Sequence, residues 1–243
     1  MIDVYEPEPA LIEARGLHTF YGASHVLHGV DFAVSRGETV ALLGRNGMGK
    51  TTLLRSLLGL TPPRHGSVHI NGIDMTGVPP HRIAREGFAL VPEGRGIFAK
   101  LSVREHLQLA ARPGRHGRID WTLERVLDTF PRLAERLGQG GALLSGGEQQ
   151  MLTIGRALMT NPDLIVLDEA TEGLSPRIAK EIWAIIRKMR ESRIACVIVD
   201  KNFAALSALA DRAVLLVKGR VAFAGEPARL KADPALLRRH LGV

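Results

Sequence analysis

LLGRNGMGKTTLL, residues 42–54, joins an apolar run to a leucine-patterned one through three glycines, a lysine and two threonines. Residues 38–43 (ETVALL) read as a buried strand. Residues 50–57 (KTTLLRSL) carry leucines at 53, 54 and 57, which is helical spacing. Gly44, Gly47 and Gly49 lack side chains, so the backbone can curl and turn its N–H groups inward. A glycine-rich turn entering a helix N-terminus favours an anion, because unpaired N–H groups and the helix dipole both attract negative charge. The loop meets the pattern G-x-x-x-x-G-K-[ST] in full, with Arg45, Asn46 and Met48 between its glycines and Thr52 after Thr51. In that pattern Lys50 reaches the β- and γ-phosphates of a nucleotide, and the Thr51 hydroxyl ligates Mg²⁺. A plain glycine turn beside a solvated lysine is the alternative, and it leaves the full match in a strand–loop–helix context unexplained. The loop is read as holding a nucleoside triphosphate.

Composition bounds the rest. A chain of 243 residues can bury a sizeable core as one large domain or two small ones. The net charge is +7, from 32 Lys+Arg against 25 Asp+Glu. Such a balance can signal nucleic acid or an acidic membrane surface. The arginines are scattered, however, and 2 Trp, 2 Tyr and 7 Phe offer little for base stacking, so a solvated basic surface is expected. The single cysteine, Cys196, lies within the apolar run IACVIV, which predicts a buried, inert thiol and excludes a disulfide framework. The N-terminal MIDVYEPEPA lacks an apolar signal segment, and no apolar run approaches the ~18 residues that cross a bilayer. A soluble cytoplasmic protein is expected.

Residues 1–10, with two prolines, read as a flexible tail. Segments 11–15, 27–34 and 67–72 read as short strands separated by turns such as YGAS and TPPRHG. Between 93 and 160 the pattern turns helical, with SVREHLQLAAR, WTLERVLDTFPRLAERL and GEQQMLTIGRALM. Strand–helix alternation then resumes through DLIVLDE, SPRIAKEIWAIIRKMR, IACVIVD, NFAALSALA and RAVLLVK, which implies a parallel sheet with crossover helices. The expected organisation is one domain over 11–243. Its core comprises 11–92 and 161–243, and 93–160 forms an inserted helical subdomain.

The run 164–167 (LIVL) suits a central parallel strand covered on both faces, and Asp168 and Glu169 follow at its carboxyl end, where such sheets bind ligands. With a phosphate loop upstream, Asp168 is expected to help hold Mg²⁺ and Glu169 to polarise the attacking water. In LSGGEQQ, residues 144–150, Ser145 and Glu148 form an S-x-x-E capping box, which is a sufficient structural reason for both. Gly146 and Gly147 also strip side chains from that helix start and bare its N–H donors beside the Ser145 hydroxyl, a second anion-binding end. One triphosphate enclosed by both ends would tie two chains together head to tail.

These three segments, in this order and spacing, resemble the ATP-binding subunits of ABC transporters. GRNGMGKTT is similar to the family's Walker A, LSGGEQQ to its signature and LIVLDE to its Walker B, and the likeness runs from about residue 11 to the end. The resemblance implies an α/β fold. It has a P-loop NTPase core with a RecA-like parallel sheet, an N-terminal antiparallel β part and the inserted helical subdomain. It implies an ATPase with ATP and Mg²⁺ as cofactors, coupled to transmembrane transport, with ATP held between one chain's Walker A and another's signature. Tyr21 stands where the family places an aromatic ring on adenine; without the resemblance it is a turn residue after a strand. Thr171 to Leu174 stand at the family's dimer-contact loop.

VPEGRGIFAKLSVREHL, LSGGEQQMLTIGRALMTNP and LDEATEGLSP resemble the branched-chain amino acid importers, a branch similar to urea and amide importers, which stand as the alternative. The implied partners are integral membrane permease subunits, docking near residues 93–102, and a second ATP-binding subunit, identical or homologous. A periplasmic solute-binding protein is implied indirectly, and no nucleic acid. The implied location is peripheral, on the cytoplasmic face of the inner membrane. Two positions depart from the family. Glu93 replaces a glutamine that touches Mg²⁺ and the permease, and keeps a metal-binding oxygen while adding charge. Lys201 stands where a histidine contacts the γ-phosphate, and no histidine lies between His116 and His240. Lys201 either donates to the γ-phosphate as a point charge or is solvated. A soluble ABC protein acting on nucleic acid or ribosomes is the rival reading, supported only by a pI near 10.1.

Overall fold

The computed structural model describes residues 10–241, so the expected tail lies outside the described residues but for its last position. Two sheets form. Strands β1 (Ile12–Tyr21), β2 (Ser24–Val34), β4 (His65–Ile70) and β5 (Ile73–Asp74) make an antiparallel sheet in the order β2-β1-β4-β5. Strands β3 (Thr39–Leu43), β6 (Phe88–Val91), β7 (Leu164–Asp168), β8 (Ala195–Val199), β9 (Arg212–Val217) and β10 (Arg220–Gly225) make the larger one, in the order β10-β9-β3-β8-β7-β6. All its neighbours are parallel except the β9–β10 hairpin.

Both faces of the larger sheet are covered along its parallel strands. Along β3, Ala41 and Leu43 join one apolar cluster while Val40 and Leu42 join another; Ile165 and Leu167 of β7 divide from Leu164 and Val166 in the same way. The first cluster lies under helices α6 (Gly146–Leu158), α7 (Pro176–Glu191) and α8 (Phe203–Leu209). The second holds α1 (Lys50–Leu57) and the inner face of the antiparallel sheet. This two-sided burial is why these strands read as unbroken apolar runs. Cys196 of β8 sits in the first cluster, and its burial pushes the thiol up to about 12, an inert group as expected.

Between β6 and β7 run α3 (Val103–Ala110), α4 (Leu123–Thr129), α5 (Pro131–Glu135) and α6, the inserted helical segment. Helix α2 (Pro80–Arg85) precedes β6, and α9 (Pro227–Lys231) and α10 (Pro234–His240) close the chain.

Three expectations need correction. The single helix over 121–137 is two, because Pro131 has no N–H to give and forces Phe130 out of helical backbone (φ −123°, ψ 73°). The first strand continues past residue 15 to Tyr21, so Tyr21 closes a strand. Gly16 (φ 56°) sits in a bulge within the strand instead of ending it at a turn. No strand or helix was expected beyond residue 218, yet β10 follows through a two-residue turn with Lys218 and Gly219 both at positive φ.

One consequence of the strand order positions the site. Because β3, β8, β7 and β6 are parallel neighbours, their carboxyl ends share one edge. That edge brings Gly44 onward, Asp200–Lys201, Asp168–Glu169 and Glu93 together from four distant stretches.

Candidate functional site

The loop after β3 is built for an anion. Gly44 (φ 144°) cannot carry a Cβ, which would stand 2.5 Å from the Leu216 carbonyl oxygen. Gly47 (φ 76°) faces open space, so its backbone is accessible to a ligand. Lys50 lies across the loop, its ammonium donating to the carbonyls of Gly44 at 2.8 Å and Arg45 at 3.1 Å, with a third donor left over. Its burial pushes the amine below the usual lysine range, against the pull of Asp168.

The Thr51 hydroxyl donates to Asp168 Oδ2 at 3.2 Å, joining the first turn of α1 to the end of β7. Asp168 is buried and its Oδ1 has no hydrogen-bond partner. Burial pushes this carboxyl above the usual aspartate range, and the Glu93 charge adds to the push. A buried carboxylate oxygen with a free lone pair, beside a hydroxyl, fits a hard cation such as Mg²⁺.

Glu169 follows in the left-handed region (φ 56°), its N–H donating to the Val199 carbonyl at 2.9 Å. Such backbone is uncommon outside glycine and clusters at functional sites. Glu93, Glu169 and Glu172 each bring a carboxylate oxygen within 4.8 Å of the others. Glu93 therefore keeps company with these two glutamates, with no hydrogen bond to the Thr51–Asp168 pair. These three, with Asn46, Gly47, Gly49, Lys50, Thr51 and Thr52, line one cleft, joined by Val26 of β2. Gly44, Arg45, Lys50, Glu169 and Lys201 line a second cavity, with Phe203 and Leu241 at its apolar side.

Lys201 enters that second cavity but spends its charge on Glu172, with which it pairs. Asp200 accepts from the Thr171 N–H at 3.1 Å and hydroxyl at 2.5 Å, fastening the 171–174 loop to the end of β8. Met48 contributes backbone only, since its sulfur accepts from the Lys218 N–H at 3.2 Å. Thr52 is buried in α1. Tyr21 is half-exposed and lines neither cavity. Val26 and Glu172 are the cleft residues that sequence reasoning left out of the site. Val26 carries no polar signal, and Glu172 was read only as part of the 171–174 dimer-contact loop, not as lining the cleft.

Ser145, Gly146 and Gly147 line neither cavity. At the start of α6 the capping box is complete: Glu148 Oε2 accepts from the Ser145 N–H at 2.8 Å, and the Glu148 N–H donates to Ser145 Oγ at 3.3 Å. Burial works against the Glu148 charge, but Ser145 and Arg136 outweigh it and lower this carboxyl. Gly147 has a packing reason too, because a Cβ there would stand 2.6 Å from Ile178 Cγ2 on α7. Gly147→Ala is expected to destabilise the chain by about 1–2 kcal/mol, the overpacking outweighing the better helix propensity. Urea unfolding checks this, and Ile178→Ala in the same chain should recover most of the loss; an unchanged midpoint would refute the contact.

Comparison with known proteins agrees with this geometry. The sequence profile of the ABC transporter family matches residues 27–172. The high-affinity branched-chain amino acid transport ATP-binding protein BraG of Pseudomonas aeruginosa is 40% identical over 224 residues, covering 92% of this chain and 96% of its own. The lipopolysaccharide export system ATP-binding protein LptB of Escherichia coli is 33% identical over 239 residues, covering 96% of this chain and 98% of its own. A solved structure of the ATP-binding subunit of an ABC transporter superposes with a TM-score of 0.80 at 32% identity, covering 93% of this chain and 94% of its own. Among the described residues no helix is long and apolar enough to cross a membrane. The chain belongs to the ABC transporter family, as an ATP-binding subunit that hydrolyses ATP.

Proposed function

We propose that the chain drives a membrane importer of branched-chain amino acids from the cytoplasmic face of the inner membrane, with Mg²⁺ as its metal. The buried, unpartnered Asp168 Oδ1 beside the Thr51 hydroxyl at the mouth of the phosphate loop is the observation that carries the catalytic part. Thr51, Asp168 and Glu93 hold Mg²⁺, which neutralises phosphate charge when bound. Lys50 and the backbone of residues 44–52 hold the phosphates, and Tyr21 stacks on adenine. Glu169 takes the proton of the attacking water. Lys201 leaves Glu172 to meet the γ-phosphate.

The nucleotide bridges two subunits. Gly44 to Thr52 of one chain and Ser145 to Gly147 of a second, identical or homologous, enclose it, and its hydrolysis lets them part. Membrane permease subunits take up that motion, and a periplasmic solute-binding protein delivers the solute to them. The amino-acid assignment rests on the likeness to BraG. The full-length likeness to LptB favours, as a second reading, an exporter of an amphipathic lipid. Uptake of labelled leucine, isoleucine and valine in cells lacking this chain separates the two. Uptake should fall, and unchanged uptake would remove the importer reading.

Permease docking is expected on the groove between β6 and helices α3 and α6, lined by Leu90, Pro92, Arg95, Gly96, Leu109 and Arg156. Leu109 is 69% exposed, and Phe98, whose ring lies beneath the Arg156 guanidinium beside the groove, is 50% exposed, apolar surface left uncovered in the lone chain. Replacing Phe98 and Leu101 by glutamate is expected to abolish co-purification with the permease while the isolated chain keeps its melting temperature. Co-purification unchanged from wild type would exclude this surface.

A further inference from the structure

On the outer face of the antiparallel sheet, four of the chain's nine histidines meet. His18, on the central strand β1, stands directly opposite His28 of β2 and His65 of β4. Directly opposed residues share one face of a sheet with their Cβ atoms about 5 Å apart. His25 completes the group. Its ring lies 5.2 Å from that of His18 and 3.9 Å from that of His28, and the His65 ring lies 6.1 Å from that of His18. His18 Nδ1 and His25 Nε2 share a hydrogen bond at 3.1 Å, which a bound ion would replace.

We infer that this face carries a transition-metal site, with His18 and His25 as the prepared pair and His28 or His65 as further ligands, for a borderline divalent ion of the Zn²⁺ class. Two metal–nitrogen bonds of about 2.0–2.1 Å at a tetrahedral angle place their nitrogens about 3.3 Å apart, close to the separation already present. His65 is exposed and His28 half-buried, so either ring can turn to supply a third nitrogen. Imidazoles alone select Zn²⁺, Cu²⁺ or Ni²⁺ over Mg²⁺, which seeks oxygen. Burial, with the nearby charges of His25, Arg220 and His18, pushes His28 below the usual histidine range and favours the neutral, ligating form. Two cations flank the group: Arg220 donates to the His28 carbonyl at 3.2 Å, and Arg64 lies over the Phe20 ring, which stacks on His25. A bound cation would therefore have to hold against them, through direct nitrogen bonds.

Titrating Zn²⁺ into chelator-stripped protein by calorimetry at neutral pH tests the site. One ion per chain in the low-micromolar range is expected, with a raised melting temperature. The variant His18→Gln/His25→Gln should weaken binding at least tenfold. His65→Gln, at an exposed position, serves where the pair variant folds poorly, and should weaken it several-fold. The same zinc affinity in all three proteins, as zinc held only by Glu93, Glu169 and Glu172 would give, overturns the inference, and so does the absence of zinc binding to the parent.

Discussion

Glu169→Gln binds ATP as the parent does but hydrolyses it about 10²–10⁴-fold more slowly, the scale of a lost general base. The substitution keeps the shape of the side chain and removes only its charge. Its backbone is held independently of that charge, by the left-handed turn and the Glu169 N–H bond to the Val199 carbonyl at 2.9 Å. Glu169 lines both cavities that flank Lys50, so a proton taken there leaves directly beside the phosphate loop. Glu169 also stands within 4.8 Å of Glu93 and Glu172, so neutralising it relieves repulsion and should not weaken a tetra-anionic ligand. Phosphate release at saturating ATP, alongside nucleotide binding by fluorescence, checks both halves. Full turnover in the variant would strip Glu169 of this role.

Ser145→Arg leaves ATP binding at residues 44–52 intact and abolishes ATP-dependent pairing and turnover. Ser145 lines no cavity at the phosphate loop of its own chain, so its substitution leaves the lining of that loop unchanged. At the start of α6 it caps a helix whose first N–H groups and dipole attract negative charge. An arginine there fills that opening with a long side chain. The lost cap costs about 1 kcal/mol, small enough for the fold to survive. Sedimentation of Glu169→Gln protein, with and without ATP, provides the baseline. The double variant with Ser145→Arg should stay monomeric in both conditions and retain ATP. Pairing that survives the arginine would defeat the two-chain enclosure of the nucleotide.

Much of this site was legible because its chemistry is local in sequence. The phosphate loop runs from Gly44 to Thr52 without interruption, and the capping box of Ser145 and Glu148 spans four residues. Helix spacing and glycine freedom act over the same range, so both segments declare themselves in the linear chain. The apolar runs of β3, β7 and β8 were equally plain, because burial on both faces removes any polar alternation. Reading failed where a backbone irregularity broke the pattern, as at the Gly16 bulge and at Pro131.

The amino-acid sequence by itself determined the strand–loop–helix around Lys50, the paired acids after β7, the capped start of α6 and the alternation that makes a parallel sheet. Only the tertiary structure decided which distant residues stand together. The order β3-β8-β7-β6 sets Lys50, Lys201, Asp168 and Glu93 on one edge. It turns Lys201 toward Glu172 and leaves Asp168 Oδ1 buried without a partner. Likewise, the register of β1 against β2 and β4 alone aligns His18 with His28 and His65. Local propensity acts over a few residues and carries no information about register or strand order. Those follow from which faces the whole chain buries at once.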